Sequence, residues 1–133
     1  SLFALTNNFF YYILILDISS IDIGDGYMAR EKLQNLTEPM YYILLALTKE
    51  RHGYEIMQAI EQFTGGRVEV GPGTLYALLS RFEKKGFIRL TSDDGRRKTY
   101  IITKSGKEIL YEEFNRLNQL VKDGEKILKG DMK

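Results

Sequence analysis

The 133-residue chain contains no cysteine. That absence excludes a disulfide framework, a thiolate metal site and a thiol nucleophile. Histidine is nearly absent too: His52 is the only one, so histidine-based acid–base or metal chemistry has a single place to reside. There is no tryptophan and there are only two prolines, Pro39 and Pro72. Long apolar runs are also missing. The run Phe9–Leu16 ends at Asp17 and is too short to cross a bilayer. No basic residue precedes Arg30, and no small-residue cleavage site follows the run, so it does not read as a signal peptide. No metal, no cofactor and no membrane partner is expected, an enzyme is disfavoured, and a cytoplasmic location is expected.

What is present is a charge asymmetry hidden by a net charge of +1. Residues 1–36 hold two basic and four acidic residues. Residues 80–104 hold eight basic residues against three acidic ones, and residues 105–133 balance at six of each. A local basic block in a neutral chain points to one anionic contact surface.

The pattern along the chain divides it into three parts. Residues 1–35 read as an N-terminal extension or leader, native or not, with Met28 as a natural start. Residues 36–103 read as the globular domain and residues 104–133 as a C-terminal helix. The first clear helix spans 37–49, capped by Thr37, with Pro39 in the first turn where proline is tolerated. It is apolar nearly all round, which calls for burial on two sides. A second helix spans 53–64, with Ile56, Ala59, Ile60 and Phe63 at i, i+3, i+4 and i+7, ending at Gly65-Gly66.

The third helix follows Gly71-Pro-Gly and carries Leu75, Leu78, Leu79 and Phe82 on one face. Thr74, Ala77, Ser80, Arg81 and Lys84 fall outside that face, a small, polar and basic mixture suited to base edges and phosphates. Gly86 ends it. Helix, short turn, helix is the helix-turn-helix arrangement, whose second helix reads the major groove. The period then changes to two. Phe87–Thr91 and Arg97–Thr103 flank the turn Ser92-Asp-Asp-Gly95, which predicts a β-hairpin with Arg96, Arg97 and Lys98 at its tip. A basic hairpin directly after a candidate recognition helix is a wing. The expected fold is therefore mainly α with a small β-hairpin: a winged helix-turn-helix plus a long C-terminal dimerisation helix.

That last helix is expected over 103–129, with a stripe of Leu110, Phe114, Leu117, Leu120, Val121, Ile127 and Leu128. The domain has too little core to cover it all, so a second copy is the economical partner. Tyr41 and Leu45 on the first helix join Leu110, Phe114, Leu117, Val121 and Leu128 as expected dimer-interface residues. An alternative use of Gly71-Pro-Gly-Thr, holding phosphate at a helix start, fails because its glycine spacing matches neither phosphate-binding fingerprint.

Gly53-Tyr-Glu-Ile56, Gly71-Pro-Gly-Thr-Leu-Tyr-Ala-Leu-Leu-Ser-Arg-Phe-Glu-Lys-Lys-Gly-Phe-Ile88 and Arg97-Lys-Thr-Tyr-Ile-Ile-Thr-Lys-Ser-Gly106 together resemble the PadR family of bacterial transcriptional regulators. The resemblance covers about residues 36–128 and is to the short class with one C-terminal helix. It implies a homodimeric repressor of a pseudo-palindromic operator in double-stranded DNA. By position it puts Tyr54, Thr74 and Tyr76 against DNA, flanked by Arg81 and Lys84 or Lys85, with the wing basics on the backbone. For Tyr54 and Tyr76 a packing reading, ring buried and hydroxyl wet, stands beside the DNA reading. Some short-class members hold flat aromatic drugs at the dimer centre through tryptophan. With none here, Tyr41, Tyr42 and Phe114 are the substitutes for a small aromatic effector. The rival function is a winged-helix protein-interaction module, since fold does not dictate DNA binding. It requires an apolar face where this chain has Thr74, Ser80, Arg81 and Lys84.

Overall fold

A computed structural model describes residues 35–130. The reading of residues 1–34 as an extension lies outside the described residues. Helix α1 (Glu38–Ala46) is capped by Thr37, whose hydroxyl accepts from the Met40 amide. A two-residue strand β1 (Arg51–His52) leads into α2 (Gly53–Thr64), and α3 (Pro72–Lys84) follows. Strands β2 (Ile88–Asp93) and β3 (Lys98–Ile102) form the hairpin, and α4 (Lys104–Glu125) closes the chain with a π turn over Lys126–Gly130. The sheet is antiparallel in the order β1-β3-β2. This is a winged helix-turn-helix with a long C-terminal helix.

One core serves all these elements. Ile43, Leu44 and Leu47 meet Ile56 and Ile60 of α2, Leu75, Leu79 and Phe82 of α3, and Phe87 and Ile88 of the wing, all essentially solvent-free. Each such side chain contributes ~1.5–3 kcal/mol by leaving water. Phe82 and Phe87 lie 6.3 Å apart, ring to ring, across the joint between α3 and β2. That joint turns at Gly86, whose φ of 77° is the left-handed conformation a side chain disfavours.

Several expectations are revised by packing. The first helix stops at Ala46 rather than running to 49. The Arg51 guanidinium caps the Ala46 carbonyl at 2.8 Å, and the chain turns so that Arg51 and His52 pair with Tyr100 and Thr99. Two residues cannot announce a strand; only their partner can. Phe63, expected in the core, is 52% exposed, because α2 outruns the helices it packs on. Strand β2 continues to Asp93, which shifts the four-residue turn from the expected 92–95 to 94–97. A bulge at Thr91, between Leu90 and Ser92, lets β2 reach further. The α-helical part of α4, expected to run to 129, ends at Glu125, just past the weak helix former Gly124.

The start of α4 is held against the α3–β2 joint. The Thr103 and Ser105 hydroxyls donate to the Gly86 carbonyl at 2.6 and 2.9 Å, and the Thr103 amide donates to the Phe87 carbonyl at 2.9 Å. Gly106 sits directly on that carbonyl: a Cβ there would lie 2.1 Å from the Phe87 oxygen. Gly106→Ala is expected to destabilise the fold by ~1–3 kcal/mol or more through overpacking. Gly124→Ala, which meets no atom within 4 Å, is expected to stabilise by ~0.5–1 kcal/mol. Urea denaturation of the two variants checks the contrast.

Candidate nucleic-acid interface

The exposed stripe of α3 runs through Thr74, Ala77, Arg81 and Lys84, at i, i+3, i+7 and i+10. Thr74, Ala77 and Lys84 are exposed and Arg81 is half-buried. Beside it runs a second line of Tyr76, Ser80 and Glu83, all exposed. This second line faces the wing. Lys85 is half-buried at the end of α3.

Between α3, the start of α2 and the wing lies a cleft of about 660 Å³. Tyr54, Tyr76, Ser80, Arg96, Arg97 and Lys98 all line it. Six of the eleven residues expected at DNA thus meet around one opening, and Thr74, Ala77, Arg81 and Lys84 continue along the neighbouring stripe. Lys85 stands apart from both.

Tyr54 and Tyr76 are 62% and 56% exposed. Neither is a core ring. Tyr76 does have a packing role at its tip: a Cβ on Gly53 would lie 2.5 Å from its hydroxyl oxygen. Glycine at 53 is therefore what lets the Tyr76 ring cross the start of α2. The start of α2 is itself organised by Glu55, whose carboxylate accepts from the His52 amide at 3.0 Å and lies 3.2 Å from His52 Nε2.

The wing tip is built by two aspartates. Asp93 accepts from the Gly95 amide at 3.0 Å. Asp94 accepts from the amides of Arg96 and Arg97 at 2.9 and 2.7 Å. Folding the tip around Asp94 leaves the side chains of Arg96 and Arg97 in solvent. No ion pair among the described residues engages Lys84, Arg96, Arg97 or Lys98. The floor of the cleft is Tyr100, 6% exposed. Burial pushes its phenol above the usual range, and the Glu83 and Asp93 carboxylates add to the effect. It is a neutral hydrogen-bonding group at physiological pH.

The reading of the residues missed His52, Glu83, Asp93 and Tyr100 as cleft residues. Glu83 was accessible through its spacing from Tyr76 and Ser80. His52 was not, because it enters the cleft only by pairing with β3.

The helix pair and wing carry the sequence pattern of the transcriptional regulator PadR-like family, which matches residues 43–112. The chain belongs to that family. It is 44% identical over 72 residues to a protein of Lysinibacillus sphaericus, covering 51% of this chain and 66% of the relative. It is 30% identical over 90 residues to the transcriptional regulator YqjI of Escherichia coli strain K12, covering 67% of this chain and 44% of that one. The chain spans no more than about two thirds of the length of these curated relatives. Among solved structures, a transcriptional regulator from Clostridium thermocellum superposes with a TM-score of 0.57 at 26% identity, covering 69% of this chain and 93% of that one. The fold and family are those of transcriptional regulators, not of enzymes. Among the described residues no helix is long and apolar enough to cross a membrane.

The Asp94 hub of this PadR-family wing makes a pH prediction. Backbone amides, those of Arg97 and then Arg96, hold the Asp94 carboxyl below the usual carboxylate range. A depressed pKa gives a contribution that is present above the unfolded value and lost as pH falls through the folded one. The tip is therefore expected to be ordered at neutral pH and to loosen only in acid. Protection of the Arg96 and Arg97 amides, taken relative to the intrinsic exchange rate at each pH, should fall below the ordinary aspartate range, and Asp94→Ala should lack that protection at every pH.

Proposed function

We propose that this PadR-family regulator binds double-stranded DNA as a homodimer and represses transcription from a pseudo-palindromic operator. On this reading α3 enters the major groove with Thr74, Tyr76, Ala77 and Ser80 toward base edges. Tyr54, Arg81, Lys84 and Lys85 flank it. Arg96, Arg97 and Lys98 reach phosphates, or an arginine enters a narrow minor groove. The observation that carries the reading is the cleft: the exposed side chains of Arg96, Arg97 and Lys98, without ion pairs among the described residues, face Tyr76, Ser80 and Glu83 of α3 across an opening about 660 Å³ in volume. A protein-interaction module would present apolar groups there.

The homodimer reading rests on α4. Phe114, Leu120, Val121, Ile127 and Leu128 are between 50% and 72% exposed on one chain. Leu117 is half-buried, and Leu110 is largely taken up in its own core at 6% exposure. Tyr41 and Leu45, also half-buried, line a groove of about 430 Å³ with Leu110, Tyr111 and Phe114. A second copy laid along α4 covers this face. A flat aromatic effector that relieves repression fits the same groove, bounded by Tyr41 and Phe114.

The test is fluorescence anisotropy with the chain's own promoter and a scrambled duplex at several salt concentrations. Specific repression predicts dimer-stoichiometric binding, with the scrambled duplex weaker by ~10³ or more. Arg97→Ala should weaken both duplexes alike and reduce the salt slope by about one. Substitutions at Thr74 or Ser80 should change base preference instead. Equal, weak and salt-sensitive binding to both duplexes, or wild-type binding after charge reversal at Arg97 and Lys98, would sink the reading.

A further inference from the structure

The buried residues of helix α4, among the described residues, all fall within its first ten positions, Lys104–Glu113. Its base is fixed at the α3–β2 joint by Thr103, Ser105 and Gly106. Ile109 and Leu110 are buried next, and the last buried residue is Glu113, at 3% exposure. From Phe114 onward no described residue of α4 is buried.

Glu113 is the one charged residue among the buried described residues. Its Oε2 accepts from the Leu36 backbone amide at 2.6 Å. Its Oε1 accepts from Nε of Arg116, one turn on. Leu36 immediately precedes the Thr37 cap of α1, so the carboxylate ties α4 to the start of the opposite face of the domain. A buried ion pair is poor value as a stabiliser, and apolar replacements of similar volume are often neutral or better. Its directional bonds do something an apolar contact does not: they fix a direction. Among the described contacts, the Gly86–Phe87 joint and Glu113 lie at the two ends of the buried stretch of α4, and together they set its direction.

Beyond Glu113 no described residue of α4 is buried, and the helix runs on for about 18 Å to Glu125, at the ~1.5 Å rise of an α-helix. A swing of about 10° at Glu113 moves the far end of that stretch by about 3 Å, close to the ~3.4 Å rise of one base pair. In a dimer joined through these stretches, that swing changes the separation of the two recognition helices, and with it the half-site spacing the protein accepts.

We propose that Glu113 is a positioning residue that sets operator half-site spacing by fixing the angle of α4 on the winged domain. This inference rests on the homodimer reading above.

The experiment uses the full chain, Glu113→Leu and Glu113→Gln. Each is measured against the operator, against duplexes with the half-sites moved one or two base pairs closer or further apart, and against a single half-site. Sedimentation gives the oligomeric state. Wild type should be a dimer and lose about tenfold in affinity for each altered spacing. Glu113→Leu should remain a dimer and bind the half-site within about twofold, yet bind the altered spacings within about threefold of the original. Glu113→Gln has one acceptor oxygen for two donors and should fall between them. If Glu113→Leu loses half-site binding, the Gln variant decides. A spacing profile as sharp as wild type, or an equal loss on half-site and operator alike, overturns the proposal. A monomeric wild type overturns the dimer reading itself, and a dimeric wild type with a sharp profile separates that failure from this one.

Discussion

The joint at Gly86–Phe87 carries most of the architecture. There α3 ends, the wing begins and α4 comes to rest. The left-handed backbone at Gly86 turns the chain out of α3. Phe87 then drops into the core beside Phe82. The carbonyls of both residues are satisfied by Thr103, Ser105 and the α4 backbone. Because three elements share two peptide groups, the angle between α3 and the wing cannot change without disturbing α4. On the proposed function that coupling matters, since base edges reward positions held within fractions of an ångström.

Charge follows the same logic of local placement. The molecule is nearly neutral, yet its basic groups concentrate on α3 and the wing. Aspartates sit among them without cancelling them. Asp93 and Asp94 are spent on backbone amides of the tip, and their work is to hold the loop that projects Arg96 and Arg97. Elsewhere Arg67 is drawn to Glu38 and Tyr42, pinning the α2–α3 loop onto α1. That pair is largely exposed and worth little in stability; Val70 of the same loop is buried in the core and Val68 packs against it.

The C-terminal helix divides at Glu113 into a half that belongs to the domain and a half that does not. The first half is glued by Gly106, Ile109 and Leu110; the second shows Phe114, Leu120 and Val121 to solvent. Tyr41, which lines the groove beside this boundary, has its phenol pushed up first by burial, then by Tyr42 and Glu113. Its hydroxyl is thus kept as a neutral donor where the apolar face begins.

Periodicity and punctuation alone determined the three helices of the domain, the hairpin and the Thr37 cap, and the motif strings carried the resemblance to the family. These are properties of short stretches, where i, i+3, i+4 spacing or alternation directly names the buried face. The basic tip of the wing was legible for the same reason, because three cations in a row after a turn need no partner to be recognised. Tertiary structure alone decided the rest. Arg51 and His52 became a strand only because Tyr100 and Thr99 lay alongside. Glu83 and His52 joined the cleft because two chain segments met, and Phe63 was left in solvent because nothing was there to cover it. Within the apolar stripe of α4, spacing could not distinguish Leu110, buried in its own domain, from Phe114, exposed four residues later. Nor could it show that Glu113, a charge by composition, would be buried by its bond to an amide 77 positions away in the chain. Spacing reports which face a residue shares; what that face touches is settled only when distant segments pack.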